Sequence, residues 1–301
     1  MLFSNNKELL KEIIDEISGT TKIAKEYIEK DFYAITVLKE LIARNEKFIF
    51  KGGTSLSVCQ KIIDRFSEDI DISYEDETIT VGQRKKIKQE FFDSIESSSL
   101  VLTNADNIRS RRVFNRYLCE YNSIKNDSKG TVIVEWATQT PSFPIEIKEA
   151  QTIIGSYLNK IGRNDLIEQY DLKPFKVKTI TKERTMVDKI FAICDYHISK
   201  KLYRQSRHIY DLLYLNKYVT LDNTFIDLFL KVKEYRVGLE TCYSAKGGKV
   251  ISSLLIDLIN EKTYYEDFNQ VTKPLLYDST TYEECIKNIE NIAMFLKNNN
   301  L

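Results

Sequence analysis

Histidine, tryptophan and proline are scarce in this chain: its 301 residues include two histidines, one tryptophan and four prolines. Two histidines are too few for a His-rich zinc centre. With four prolines and ten glycines, long regular elements and short connections are expected. The five cysteines, at 59, 119, 194, 242 and 285, show no metal-ligand spacing. Their odd number and the lack of a signal-peptide pattern fit reduced thiols in a cytoplasmic protein. No apolar run approaches the length that crosses a bilayer, so no membrane partner is expected. Net charge is absent as well, 44 basic residues being balanced by 44 acidic ones. That balance argues against a protein that coats DNA, yet leaves room for a local patch that holds RNA. Internal repeats and low-complexity tracts are missing too.

What is present suits a globular protein. Hydrophobic residues make up 43% of a chain long enough for one large domain or two smaller ones. Apolar residues at helical spacing predict helices over 7–17, 31–43 and 80–97. Strands are expected over 48–50, 112–121, 131–137, 144–148 and 175–179, with a turn at 126–130 that would join the second and third into a hairpin. Beyond residue 180 the pattern becomes helical, with helices over 181–198, 206–215, 223–237, 250–259 and 281–298. The expected fold class is therefore α/β in the broad sense (α+β), a mixed sheet followed by a helical part. The shift of pattern divides the chain into domains 1–178 and 179–301, with no flexible linker between them.

The run from Lys51 to Ser73 carries the most chemistry. Gly52, Gly53 and Thr54 follow a short apolar strand and precede a helix expected from Leu56 to Ile63. Glycine lets a phosphate approach the backbone, and Thr54 reads as an N-cap whose neighbouring N–H groups attract anions. Fifteen residues after Thr54 come Asp69 and Asp71, two apart. With Ile70, Ile72 and Tyr74 in a strand, period two puts both carboxylates on one face. Such an oxygen-rich site suits Mg²⁺, and two ions would polarise an α-phosphate and steady both the attacking and the leaving oxygen. A lone GGT is usually a turn and a lone Asp-x-Asp usually surface, but their order here is that of a nucleotidyltransferase.

Other residues admit two readings. Glu135 lies on the strand face opposite Val132, Val134 and Trp136; it could be a third metal-binding and proton-accepting carboxylate, or a solvated hairpin residue. Lys189, within an apolar helical stretch, could meet a triphosphate, although spacing alone favours a snorkelling lysine. Arg207 and Asp211 are one helical turn apart, which by default is an i,i+4 salt bridge and otherwise a nucleotide or acceptor contact. His208 reads as a surface or hydrogen-bonded histidine. Arg109, Arg111, Arg112 and Arg116 form a basic cluster beside Tyr117, and Lys231, Lys233 and Arg236 a second. Each is a possible RNA patch, though runs of charge are commonly solvated faces.

Taken together, these motifs resemble the AbiEii/AbiGii (MenT-like) family of nucleotidyltransferase toxins. Lys51-Gly-Gly-Thr-Ser-Leu and Arg65-Phe-Ser-Glu-Asp-Ile-Asp look like the first two family motifs. Met186-Val-Asp-Lys-Ile-Phe-Ala looks like the third, with Lys189 its key lysine, and Arg207-x-x-x-Asp211 like the fourth. The resemblance implies a polymerase-β-like nucleotidyltransferase core joined to a helical domain that contributes to the active-site cleft. It implies that Asp69 and Asp71, with Glu135, bind two Mg²⁺ ions. Gly52, Gly53, Thr54, Lys189 and Arg207 would hold the NTP, and Asp211 would complete the catalytic set. It also implies an AbiEi-like antitoxin as partner, transfer to an RNA acceptor such as the tRNA 3′ end, and growth arrest in phage defence. Many members carry a lysine shortly after GGT-x-L, where this chain has Ser57 and Val58; Lys61, one helical turn on, is the substitute on offer. Rival readings are transfer to a small-molecule or protein hydroxyl, and a non-catalytic NTP-binding regulator.

Overall fold

In a computed structural model of the chain, residues 3–125 and 128–301 are described, and two compact units are distinguished. The turn expected at 126–130 falls partly on residues 126 and 127, outside the described residues.

The first unit comprises Met1–Gln60 and Ser67–Ile180. Helix α1 (Lys7–Thr20) forms where Leu10, Ile13, Ile14 and Ile17 recur on one buried face, and Asn6 caps it by accepting from Leu9 N at 3.3 Å. Helix α2 (Lys25–Arg44) starts six residues earlier than spacing predicts. Its N-cap, Ala24, makes no side-chain cap bond, so no sequence signal marks the start, while Ile28 already belongs to its buried stripe. Seven strands follow: β1 (Phe48–Lys51), β2 (Asp69–Tyr74), β3 (Val101–Leu102), β4 (Phe114–Asn122), β5 (Lys129–Ala137), β6 (Ile145–Ala150) and β7 (Phe175–Ile180). They form one mixed sheet in the order β3-β4-β5-β2-β1-β7-β6. The β2–β5 and β1–β7 pairs are parallel and the others antiparallel, including the expected β4–β5 hairpin.

Helix α4 (Val81–Ser97) opens with a capping box between Thr80 and Gln83. With α2 it helps cover one sheet face, where Phe91 stacks on Tyr117 (4.7 Å between centroids) and Trp136 meets Phe48, Tyr74 and Phe91 edge-on. On β5, Val132, Val134 and Trp136 point into this core, while Ile133 and Glu135 face the other way and are only half-buried. Two short helices, α5 (Ile153–Lys160) and α6 (Asn164–Gln169), lie in a stretch whose apolar spacing is too brief to announce them.

The second unit comprises Lys61–Phe66 and Thr181–Leu301. Helix α7 (Lys182–Ser199) is its spine, with Thr181 as N-cap and Met186, Val187, Ile190, Phe191, Ile193 and Cys194 buried. Around it stand α8 (Arg207–Leu215), α9 (Asn223–Val237) and α10 (Ile251–Asn260). A single turn, α11 (Tyr265–Asp267), precedes α12 (Tyr282–Asn298), which packs on α8 and α10. Arg236, from the second basic stretch, lies over the Phe191 ring at 5.0 Å and bridges Asp188 and Asp195 at 3.2 and 3.4 Å, so it braces the unit from within. Among the described residues no helix is long and apolar enough to cross a membrane. All five cysteines are buried free thiols.

Asp31, on α2, is buried and accepts from Ile153 N at 2.7 Å, capping the start of α5. Burial raises its carboxyl to about 7, against the opposing pull of that N–H. An acid with a raised folded pKa binds its proton more tightly when folded. Its stabilising contribution is therefore complete below its ordinary pKa near 4 and is lost as pH rises through about 7. Asp31→Asn, which keeps the acceptor but cannot ionise, is expected to melt above the parent at pH 8, with the gap narrowing as pH falls and closing only near pH 4, as thermal denaturation across pH would show.

Candidate active site

In the first unit the acidic residues gather on the half-buried face of the sheet. Ile70 and Ile72 are fully buried, which turns Asp69 and Asp71 to the other face. Asp71 is in register with Glu135 on β5 and with Lys51 on β1, while Asp69 is in register with Ile133. Glu135 lies opposite Arg116 in the β4–β5 ladder and accepts from its Nε at 2.7 Å. A row of registered charged residues, Arg116, Glu135, Asp71 and Lys51, thus crosses four adjacent strands. Glu135 has the partner that a half-buried acid requires, a guanidinium that sequence assigned to a separate basic cluster.

The glycine turn sits against this acidic pair. Gly52 has φ +78°, and a Cβ placed on it would lie 1.8 Å from Asp71 Oδ2. Only glycine fits there, for backbone conformation and for space. Helix α3 (Gly52–Val58) begins at once, with Lys51 as N-cap, so Thr54 is not the cap that its spacing suggests. Thr54 is buried in the first turn, and its hydroxyl donates to Asp69 O at 2.6 Å and approaches Ser67 Oγ at 3.1 Å, fastening α3 to the start of β2. The helix ends at Val58, before the expected Ile63. Lys61 lies beyond it with φ +52° and is no helical-turn substitute for the family lysine.

Asp69 and Asp71 are hard oxygen donors two apart on one strand face, which fits Mg²⁺, an ion commonly held by one or two carboxylates with substrate phosphates and water. The glycine turn leaves room for the Asp71 carboxylate. Among the described residues no group of three or more His, Cys, Asp or Glu side chains stands ready to hold a metal, and Glu135 is engaged by Arg116.

In the second unit Lys189, Arg207 and Asp211 come from α7 and α8, but the ion pair expected from one-turn spacing is replaced by a different arrangement. Arg65 reaches Asp211 with both fork nitrogens, Nε at 2.7 Å and Nη2 at 2.8 Å. Lys189 Nζ donates to the same carboxylate at 2.6 Å. Arg65, Lys189 and Asp211 are all buried, so Lys189 does not snorkel. Arg207 Nε instead donates to Arg204 O at 3.1 Å. Burial alone would raise the Asp211 carboxyl, but the charges of Arg65 and Lys189 outweigh it and hold Asp211 ionised far below the ordinary range. Burial lowers the Lys189 ammonium; Asp211 pulls it back up, while Arg65 and Arg207 push it down. His208 is half-buried, its ring parallel to Tyr196, with no hydrogen bond to Nδ1. Burial and then the Lys189 charge drive its pKa well down, so it is a neutral ring rather than a hydrogen-bonded surface histidine.

Arg65 opens the second family motif, but sequence reasoning gave it no role and missed its pairing with Asp211. It belongs to a strap, Lys61–Phe66, that pairs with 275–277 through Phe66 N to Leu275 O (2.9 Å) and Tyr277 N to Asp64 O (3.0 Å). A further signal was its place among Ile62, Ile63 and Phe66, a composition that asks for a buried counter-charge.

The profile of the family described as "Nucleotidyl transferase AbiEii toxin, Type IV TA system" matches residues 37–289. No curated protein sequence matches the chain. Among solved structures, the nucleotidyltransferase toxin MenT4 of Mycobacterium tuberculosis is similar in fold, with a TM-score of 0.59 and 16% identity; the match covers 97% of this chain and 89% of that one. A putative nucleotidyltransferase from Helicobacter pylori matches with a TM-score of 0.53 and 15% identity, covering 92% and 97% of the two chains.

Gly52→Ala is expected to cost about 1–3 kcal/mol from the positive φ alone and to displace Asp71 as well, so urea denaturation and transfer rate should both fall. Asp211→Asn leaves Arg65 and Lys189 buried without a counter-charge; a loss of about 3–5 kcal/mol is expected, measured by urea denaturation at neutral pH.

Proposed function

The chain belongs to the AbiEii family of nucleotidyl transferase toxins of type IV toxin–antitoxin systems, and from that premise we propose that it transfers a nucleotide from an NTP to an RNA hydroxyl, that of the tRNA 3′ end. The observation that carries this reading is the pair Asp69 and Asp71 on one strand face, with the Cβ-free turn at Gly52 against Asp71. In the reaction the acceptor oxygen bonds to the α-phosphorus and the α–β phosphoanhydride bond breaks. Pyrophosphate leaves, and the acceptor proton passes to a carboxylate. Asp69 and Asp71 are the residues to hold two Mg²⁺ ions, which when bound neutralise the triphosphate and make the acceptor oxygen a better nucleophile. Gly52, Gly53 and Thr54 form the turn that a phosphate approaches. Glu135, in register with Asp71, is the carboxylate to take the acceptor proton, with Arg116 setting its position.

Lys189 and Arg207 are the candidate NTP-binding cations of the helical unit, and within that unit Asp211 orients Lys189 through their 2.6 Å bond. Membership of a type IV family implies an antitoxin partner. An AbiEi-like protein encoded nearby is the candidate, and growth arrest during phage infection the outcome.

The test is transfer of label. The protein, Mg²⁺ and total tRNA are incubated with each α-³²P-labelled NTP in turn, beside Asp69→Asn and Asp71→Asn. Labelled tRNA with a given nucleotide, lost in both variants, is the expected result, together with loss of growth inhibition at matched protein levels. Pyrophosphate release with no labelled RNA would move the acceptor to a small-molecule or protein hydroxyl. No pyrophosphate with any NTP would leave an NTP-binding regulator.

A further inference from the structure

The basic cluster on the β3–β4 connection is larger and better ordered in space than in sequence. Four arginines, at 109, 111, 112 and 116, stand in a run with no acidic residue from 107 to 119. Two cations of α4 join them: Arg84 Nη1 reaches Arg112 O at 3.5 Å, and Lys88 Nζ reaches Ile108 O at 3.3 Å. Arg109 and Arg112 likewise donate to backbone carbonyls, of Ile108 and Asn107. Carbonyls orient a guanidinium without cancelling its charge, so positive charge is concentrated on a neutral protein.

The loop that presents these groups is braced. Buried Asn115 accepts from Arg109 N and donates to Arg109 O, both at 3.0 Å, closing the loop across its base. Beyond the brace, Phe114 leaves 41% of its surface exposed on β4. Phe114 and Arg116 share the strand face that carries Glu135, and Glu135 is in register with Asp71. An exposed aromatic among arginines, on the same sheet face as the acidic pair, has the chemistry of a single-strand platform. Phosphates lie on the guanidinium groups and an unstacked base lies on the ring. A duplex offers no base face to such a ring, and an acidic protein has no use for it.

We propose that the loop 108–114, with Arg84 and Lys88, seats the single-stranded RNA end whose hydroxyl receives the nucleotide. Arg111 and Arg112 take backbone phosphates and Phe114 stacks a base. The inference rests on the RNA acceptor proposed above and adds where that acceptor lies.

Fluorescence anisotropy with a fluorescein-labelled ten-nucleotide single-stranded RNA, titrated over a range of salt, tests it on the full-length protein. Arg111→Ala with Arg112→Ala should lower the salt slope by about 1.4, two single-strand phosphate contacts. Phe114→Ala should weaken binding roughly tenfold or more with the slope unchanged. Lys160→Ala, at an exposed position elsewhere, should bind as the parent does. All these side chains are exposed, so the variants should melt with the parent. Parental affinity and slope in both patch variants would overturn the proposal, as would tighter binding of duplex than of single strand. If the parent labels RNA and the patch variants bind and label equally well, only this inference fails. If no RNA is labelled yet the oligonucleotide binds in the manner described, the loop is a single-strand RNA site, and the transfer reading fails together with the acceptor role given to the loop.

Discussion

The register of β2 between β1 and β5 is the constraint on which the rest depends. Ile70 and Ile72 are fully buried and Asp69 and Asp71 are not. Because side chains alternate, a slip of one residue would drive both carboxylates into the apolar core and both isoleucines onto the open face. Burial of the even-numbered residues therefore holds the acids in place. Pairing then carries the pattern across the sheet: fixing Asp71 fixes Glu135 opposite it, and fixing Glu135 fixes Arg116. The tight turn at Gly52 is the other half of this constraint, since β1 must bring the start of α3 within van der Waals reach of Asp71.

The helical unit solves a different problem with a different interaction. Its buried cluster places two cations on one carboxylate. Apolar groups of the same volume would hold α7, α8 and the strap together equally well or better, because desolvating three charged groups offsets much of their attraction. What the ionic cluster adds is direction: a bidentate guanidinium and an ammonium leave the carboxylate few orientations, and each member is positioned by the others. Arg236, bridging Asp188 and Asp195 over the Phe191 ring, repeats the device on another side of α7.

Most of the fold was legible because its helices and strands keep clean periods. The strand before the glycines, the hairpin, and helices α4, α7, α9 and α12 follow from apolar spacing alone. The acidic pair was legible for the same reason, as period two on an apolar strand. What sequence did not show was pairing at a distance. The true start of α2 lacks a capping side chain. Thr54 looks like a cap from its neighbours, yet bonds to a carbonyl fifteen residues on. Arg207 and Asp211 are one turn apart, but Asp211 finds Arg65, 146 positions away in the chain, and Lys189 on another helix. The Arg116–Glu135 pair needed the hairpin register. Local rules predict local partners, and a buried charge takes whichever counter-charge the packing brings nearest.

The strap from Lys61 to Phe66 has a bearing on biosynthesis. Its main-chain partners, residues 275–277, lie near the far end of the chain, and Asp211 is itself distant. During translation these six residues emerge early, between segments of the sheet unit that can pair as soon as β5 and β7 are made. Ile62, Ile63 and Arg65 must nevertheless wait until Asp211 and residues 275–277 have left the ribosome before they are covered. A sheet unit assembled before that point carries an exposed apolar strap ending three positions before Asp69, and the strap is covered only once residues 275–277 have been made.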